Sequence, residues 1–273
     1  MIEIGGIPAP SSLPMLTDLE QYIYTLKMES PTRFSYASAE ELRFELRLRS
    51  HIVGASRALA ASGAQFATFA ESRCNPLYWT LTPAGGFVLN PGVQPADGIS
   101  DIYRNGWLYA FECATAMVIV LYAAVLETIG EQRFNELFAG IVLYDWHYDS
   151  DLRLITVDGA KESFPGDILY IKNPDFSPAN PEWQGENIVE LGGGLYFGHG
   201  IGVTTVDRII HDLNMRRRPG SVVSAYLTDL VTYPDFRYLY YAAAGFRSEA
   251  SYSPVFAGGS IQVRIGAART IFV

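Results

Sequence analysis

Apolar and polar residues follow two different periods along this chain, and the change of period divides it. In the first half the apolar positions recur at helical spacing. Residues 16–28 read as a helix broken before Pro31. Ser38-Ala39-Glu40-Glu41 has capping-box spacing, and Leu42, Leu46, Ile52 and Leu59 follow along one side of a helix closed by Gly63. The intervening Arg43, Arg47 and Arg49 read as its solvated face. Residues 77–82 and 86–89 predict two short strands joined by Pro83-Ala84-Gly85, and residues 96–104 a short helix. Asn105-Gly106 then turns the chain into its most apolar run, Cys113 to Leu126, a buried helix that should stop near Gly130. Glu131 to Phe138 predicts one more helix.

After Ile141 the segments become short and β-favouring. Strands are predicted over Ile141–Tyr148, Asp167–Lys172, Asn187–Leu191 and Leu195–His199, the last two joined by Gly192-Gly193-Gly194 as in a hairpin. Residues 204–217 look helical and close on Arg216-Arg217-Arg218 before Pro219-Gly220. Positive charge suits the last turn of a helix, so the triplet reads as a cap and not an anion site. Residues 221–273 are aromatic-rich and ambiguous. Helices followed by neighbouring strands predict an α+β fold, with the Cys113 helix packed on an antiparallel sheet. No repeat or linker interrupts it, so residues 1–273 are expected as a single domain, with 1–15, rich in Gly, Pro and Ser, as a loose lead-in.

Composition narrows the function. The 273 residues are 49% hydrophobic and 18% charged, enough for a sizeable core. A net charge of −9 argues against nucleic acid or an anionic membrane as the main partner. The apolar run to Leu126 is too short to span a bilayer. The N-terminus lacks a basic region followed by an apolar stretch, so no signal peptide is expected and synthesis is expected in the cytoplasm. Two cysteines, Cys74 and Cys113, are too few for a disulfide framework. Cys74, in a loop-like stretch before Pro76, reads as a spare thiol.

Cys113 opens its helix directly after Glu112. Free N–H groups and the dipole at a helix start favour thiolate, the attacking form of cysteine in acyl transfer. Such chemistry needs a partner for the thiol proton. Of four histidines, His51 and His211 lie inside predicted helices. His199 stands in Gly198-His199-Gly200 at a strand end, where glycines allow close approach. Glu186, between Gly185 and Asn187, begins a strand that would pair with the strand carrying His199. A solvated acid at a strand start is the plainer reading of it. Asp145-Trp146-His147-Tyr148-Asp149 would place acid, His and acid on one face of a strand, but further metal ligands are lacking, so no metal is expected. Gly198-His199-Gly200-Ile201-Gly202 lacks dinucleotide-binding spacing.

Together, Phe66-Ala67-Thr68-Phe69, Tyr109-Ala110-Phe111-Glu112-Cys113-Ala114-Thr115-Ala116, Leu143-Tyr144-Asp145-Trp146-His147-Tyr148, Trp183-Gln184-Gly185-Glu186-Asn187 and His199-Gly200-Ile201-Gly202 resemble the small bacterial transglutaminases of Bacillus spore coats. The resemblance runs from about Pro31 to Leu227. It implies a papain-like core of NlpC/P60 type, Cys113 as nucleophile, Glu186 as its main partner with Glu112 as a substitute, and His199 in support. It also implies that Phe66, Tyr109, Trp146 and Trp183 line a substrate tunnel. The reaction implied is isopeptide cross-linking of reactive Gln and Lys side chains of spore coat proteins through a cysteine thioester, without a cofactor. The chain itself has no calcium loop of D-x-D-x-D-G type. A cysteine peptidase or amidase on the same scaffold and a non-catalytic coat protein are the rival readings. The lead-in and the tail after about Tyr233 fall outside the resemblance.

Overall fold

A computed structural model describes residues 1–246, 261–265 and 268–272. Its centre is the packing of two long helices, Ala39–Ala61 and Cys113–Ile129. The first begins where the capping residues predict, with the Ser38 side chain accepting the Glu41 N–H. Leu42, Leu46, Ile52 and Leu59 all point inward. The second helix is buried at every residue from Cys113 to Tyr122, which is why it is apolar on all sides and not amphipathic. Gly130, at φ 80, turns the chain directly into Glu131–Leu137.

One side of this helical layer carries a six-stranded, wholly antiparallel sheet in the order Gly202–Thr204, Leu195–Gly198, Gly185–Gly192, Ile168–Lys172, Tyr226–Pro234, Leu154–Val157. Alternate residues of its strands face two different cores. Ile168, Val189 and Phe197 pack with the central helices. Leu169, Ile171 and Ile188 pack under the helix Val206–Asn214. The helices-on-antiparallel-sheet expectation therefore matches the architecture.

Three readings need correction. The opening residues are not loose: Ile2–Ile4 pairs in parallel with Phe34–Tyr36, and Ile2 is fully buried. Arg49 is not on a solvated face. It is 3% exposed, bridging Glu45 at 2.8 Å and Asp167 at 2.7 Å, while Lys27 reaches the same Glu45 oxygen at 2.5 Å. Four ionised groups are thus buried together, each with an opposite charge. The predicted strand Ile141–Tyr148 shrinks to Val142–Leu143, because Asp145 adopts φ 50 and the chain folds back so that Tyr144 pairs with His147. Asp145, His147 and Asp149 consequently share no strand face. The tail from 234, left ambiguous by the sequence, opens with the helix Phe236–Ala243, and Arg237 from it bonds Glu41 at 2.6 Å. Two strands, Ile261–Ile265 and Ala268–Phe272, pair antiparallel further on, and residues 247–260, 266–267 and 273 lie outside the described residues.

Candidate active site

The site forms where the start of the cysteine helix meets the strand Gly185–Gly192. Glu112 is the N-cap of that helix, its Oε2 accepting the Ala114 N–H at 2.8 Å. Its other oxygen, Oε1, accepts a hydrogen bond from Cys113 Sγ at 3.0 Å. Asn187 Nδ2 donates to the same sulfur at 3.4 Å. The thiol is 3% exposed. Burial, and then the carboxylates of Glu186 and Glu112, push its proton affinity well above the ordinary cysteine value. The helix start alone argues for thiolate, yet burial, aided by the two nearby acids, outweighs it and favours the thiol, whose proton is directed at Glu112.

Glu186 is 1% exposed, so it is not the solvated acid that its place at a strand start suggested. Its neighbours in the register are Ile171 on the adjoining strand and, one step on, Tyr170 opposite Asn187. Side chains alternate across a strand. Asn187 and Tyr170 therefore face the cysteine helix, while Glu186 starts on the opposite face at the strand's beginning and still interacts electrostatically with Cys113 and Glu112. There its Oε1 accepts the Gly200 N–H at 3.4 Å, and its Oε2 is buried without a partner. Burial, then the Glu112 carboxylate, push Glu186 up to about 8, against the pull of the Gly200 N–H and the Arg216 charge. Gly198 is packed closely against it, since a Cβ there would stand 3.0 Å from Glu186 Oε1.

His199 lies beside this carboxyl without a side-chain contact to the sulfur. Its ring stacks on Phe111 at 4.5 Å and 12°, and its Nε2–H donates to the Gln65 carbonyl at 3.1 Å. Burial lowers its proton affinity to about 4, so it is neutral at physiological pH. It fixes the turn that carries Gly200.

The four expected tunnel aromatics separate. Phe66 and Trp183 meet at 5.1 Å and pack over Gly200. Trp146 lines a small cavity together with Asn187, Tyr170 and Thr232, and its buried indole Nε1 has no partner. Tyr109 is corrected: it is fully buried in the core beside Phe87, with its hydroxyl donating to Asp101. Three contributors escaped the sequence reading. Asn187 and Tyr170 reach the site only through strand register, and Arg216 only because its helix ends early, at Asn214. The signal for Asn187 was present in the Gly-Glu-Asn segment. Cys74 stands apart, its thiol bonded to the Trp79 carbonyl at 3.7 Å and pushed up to about 11 by burial. No described helix is long and apolar enough to cross a membrane.

Comparison with known proteins assigns the chain to a family. The family model "Protein-glutamine gamma-glutamyltransferase" matches residues 1–243, reaching beyond both ends of the stretch recognised in the sequence. A protein-glutamine gamma-glutamyltransferase of Bacillus cereus strain B4264 is 44% identical over 255 residues, covering 93% of this chain and 92% of that protein. One from Halalkalibacterium halodurans is 46% identical over 235 residues, covering 85% and 82%. Among solved structures, a transglutaminase from Geobacillus stearothermophilus without its C-terminal extension superposes with a TM-score of 0.71 at 53% identity, covering 74% of this chain and 97% of that one. A buried thiol set against two acids, with a family match over nearly all of the described fold, places the chain in the protein-glutamine gamma-glutamyltransferase family of acyltransferases.

Proposed function

We propose that the enzyme joins protein glutamine and lysine side chains through a thioester on Cys113, with Glu186 and Glu112 handling the proton. The observation that carries this reading is the Cys113 S–H directed at Glu112 at 3.0 Å inside a buried, two-carboxylate setting. As sulfur attacks a glutamine carboxamide carbon, the thiol proton passes to a carboxylate, and that proton then leaves with ammonia as the C–N bond breaks. A lysine ammonium next gives a proton to the regenerated carboxylate, and the free amine attacks the thioester. As the C–S bond breaks, the attacking amine's surplus proton passes to sulfur, the isopeptide bond forms, the thiol is restored, and the carboxyl releases its extra proton to solvent. The developing oxyanion needs a donor in a dry site. The unpaired indole N–H of Trp146 beside Asn187 supports one, together with the backbone at the helix start.

Phe66 and Trp183 supply an apolar wall that suits the stem of a lysine and keeps water from the thioester. Spore coat proteins are the proposed substrates, on the resemblance to coat enzymes, and the helix-on-sheet arrangement is proposed as papain-like in the NlpC/P60 manner. Calcium is proposed to be dispensable. Incorporation of a fluorescent primary amine into a glutamine-rich protein tests the reading. Wild type should label it equally with and without a calcium chelator, and Cys113→Ala or thiol blocking should abolish labelling. Ammonia release without amine incorporation would point to an amidase instead.

A further inference from the structure

The arginine triplet after the helix Val206–Asn214 divides into three different jobs. Arg217 donates to the carbonyls of Asn214 at 3.0 Å and Val223 at 2.5 Å, and Arg218 pairs with Asp175 at 2.7 Å. Arg216 also caps, giving Nη1–H to the Asp212 carbonyl at 2.8 Å. Its guanidinium, however, lies 3.9 Å from the centre of the Trp183 ring. Trp183 packs on Phe66 at 5.1 Å, and these two rings leave so little room over Gly200 that a Cβ there would stand 3.1 Å from Trp183. Gly200 in turn gives its N–H to Glu186 Oε1. A continuous stack therefore runs from a helix end to the candidate proton acceptor: Arg216, Trp183, the Gly200 turn, Glu186.

We propose that Arg216 is a positioning residue for the acyl transfer, holding Trp183 against Phe66 over the Gly200 turn and placing a fixed positive charge behind Glu186. This rests on the reading of Glu186 as a proton acceptor. A guanidinium stacks flat on an indole and keeps its remaining N–H groups free for the helix carbonyl, which an ammonium does not do equally well. The charge works against a crowded background. Glu186 is faced by Glu112 and Cys113 from the helix, Tyr170 from the adjoining strand, the His199 and Gly200 N–H groups from the turn, and Arg216 from beyond the helix. Arg216 opposes the Glu112 carboxylate there, favouring the ionised, proton-accepting form of Glu186.

The test compares Arg216→Met, Arg216→Lys, Arg218→Met and Glu186→Gln in the full chain, each measured for amine incorporation as a function of pH, with kcat and KM separated. Arg216→Met should raise KM about threefold to tenfold, the range expected from losing a cation–π contact. It should also move the acid limb of the pH profile to higher pH. Arg216→Lys should leave the limb in place, because the charge is kept, and still raise KM. Arg218→Met, which removes only a surface pair, should match wild type. An Arg216→Met profile and KM indistinguishable from wild type would overturn the proposal. So would an Arg216→Lys limb displaced as far as that of Arg216→Met. If Glu186→Gln keeps full activity, the proton-acceptor reading fails instead, and the KM comparison then judges the Arg216 stack on its own.

Discussion

Glu186 carries a proton in the folded protein at pH values where an ordinary glutamate has long lost it. Its ordinary value is 4.5 and its folded value is about 8. The unfolded chain therefore releases this proton first, and the fold loses stability as pH rises from 4.5 to 8. Glu186→Gln, which cannot ionise, should melt at least about 2 °C above wild type at pH 9, with the gap closing toward pH 5, by thermal unfolding. The same substitution should cost activity far more than His211→Gln, because only the carboxylate can accept the thiol proton. For the wild type, the rate of amine incorporation should climb as pH passes about 8 and Glu186 ionises. Much at this scale was legible in the sequence. Cys113 and Glu112 are adjacent, and Glu186 and His199 each stood between glycines or beside one. The charge state of the sulfur was not legible, since it depends on how near two acids approach once the strand is laid against the helix.

The strand that carries Glu186 depends on a residue with no side chain. A Cβ on Gly185 would stand 2.2 Å from the Tyr170 hydroxyl and 2.6 Å from the Ile171 carbonyl. Gly185→Ala should destabilise the protein by about 1–3 kcal/mol, as overpacking does, and lower activity by displacing Glu186, which denaturant unfolding and amine incorporation would show. At this scale the helices were read well, because caps such as Ser38 and apolar spacing are local signals. The strands were read unevenly. Tyr226–Pro234 was missed because its outer half is exposed and its pairing shifts register between Leu169 and Ile171, which breaks the alternation that marks a strand. Leu154–Val157 is a short edge strand whose residues are all partly exposed or exposed, so it shows no apolar face. Ile141–Tyr148 was overread because nothing in its β-favouring residues announces a left-handed Asp145.

Across the whole molecule, the N-terminal helix Asp18–Glu29, the long helix and the turn entering the sheet are joined by Lys27, Glu45, Arg49 and Asp167. Burial works against ionisation of Glu45, yet Lys27 and Arg49 hold its carboxyl down to about 2. Glu45→Gln would leave two cations sharing Asp167 in the interior. A loss of about 3 kcal/mol is expected, read as a lower midpoint in chemical denaturation. This network was hidden from the sequence because arginines at helical spacing look the same whether they face water or a partner helix. The buried sulfur, bonded to Glu112, also governs how the enzyme meets reactive chemicals. Oxidants and alkylating agents attack thiolate, so a thiol kept protonated until substrate arrives is shielded from them. Iodoacetamide should modify Cys113 far more slowly than free cysteine at pH 7.5, and peroxide should spare it over long storage. Durability in an oxygenated setting would then come from the burial of the sulfur and from the same two carboxylates that start the chemistry.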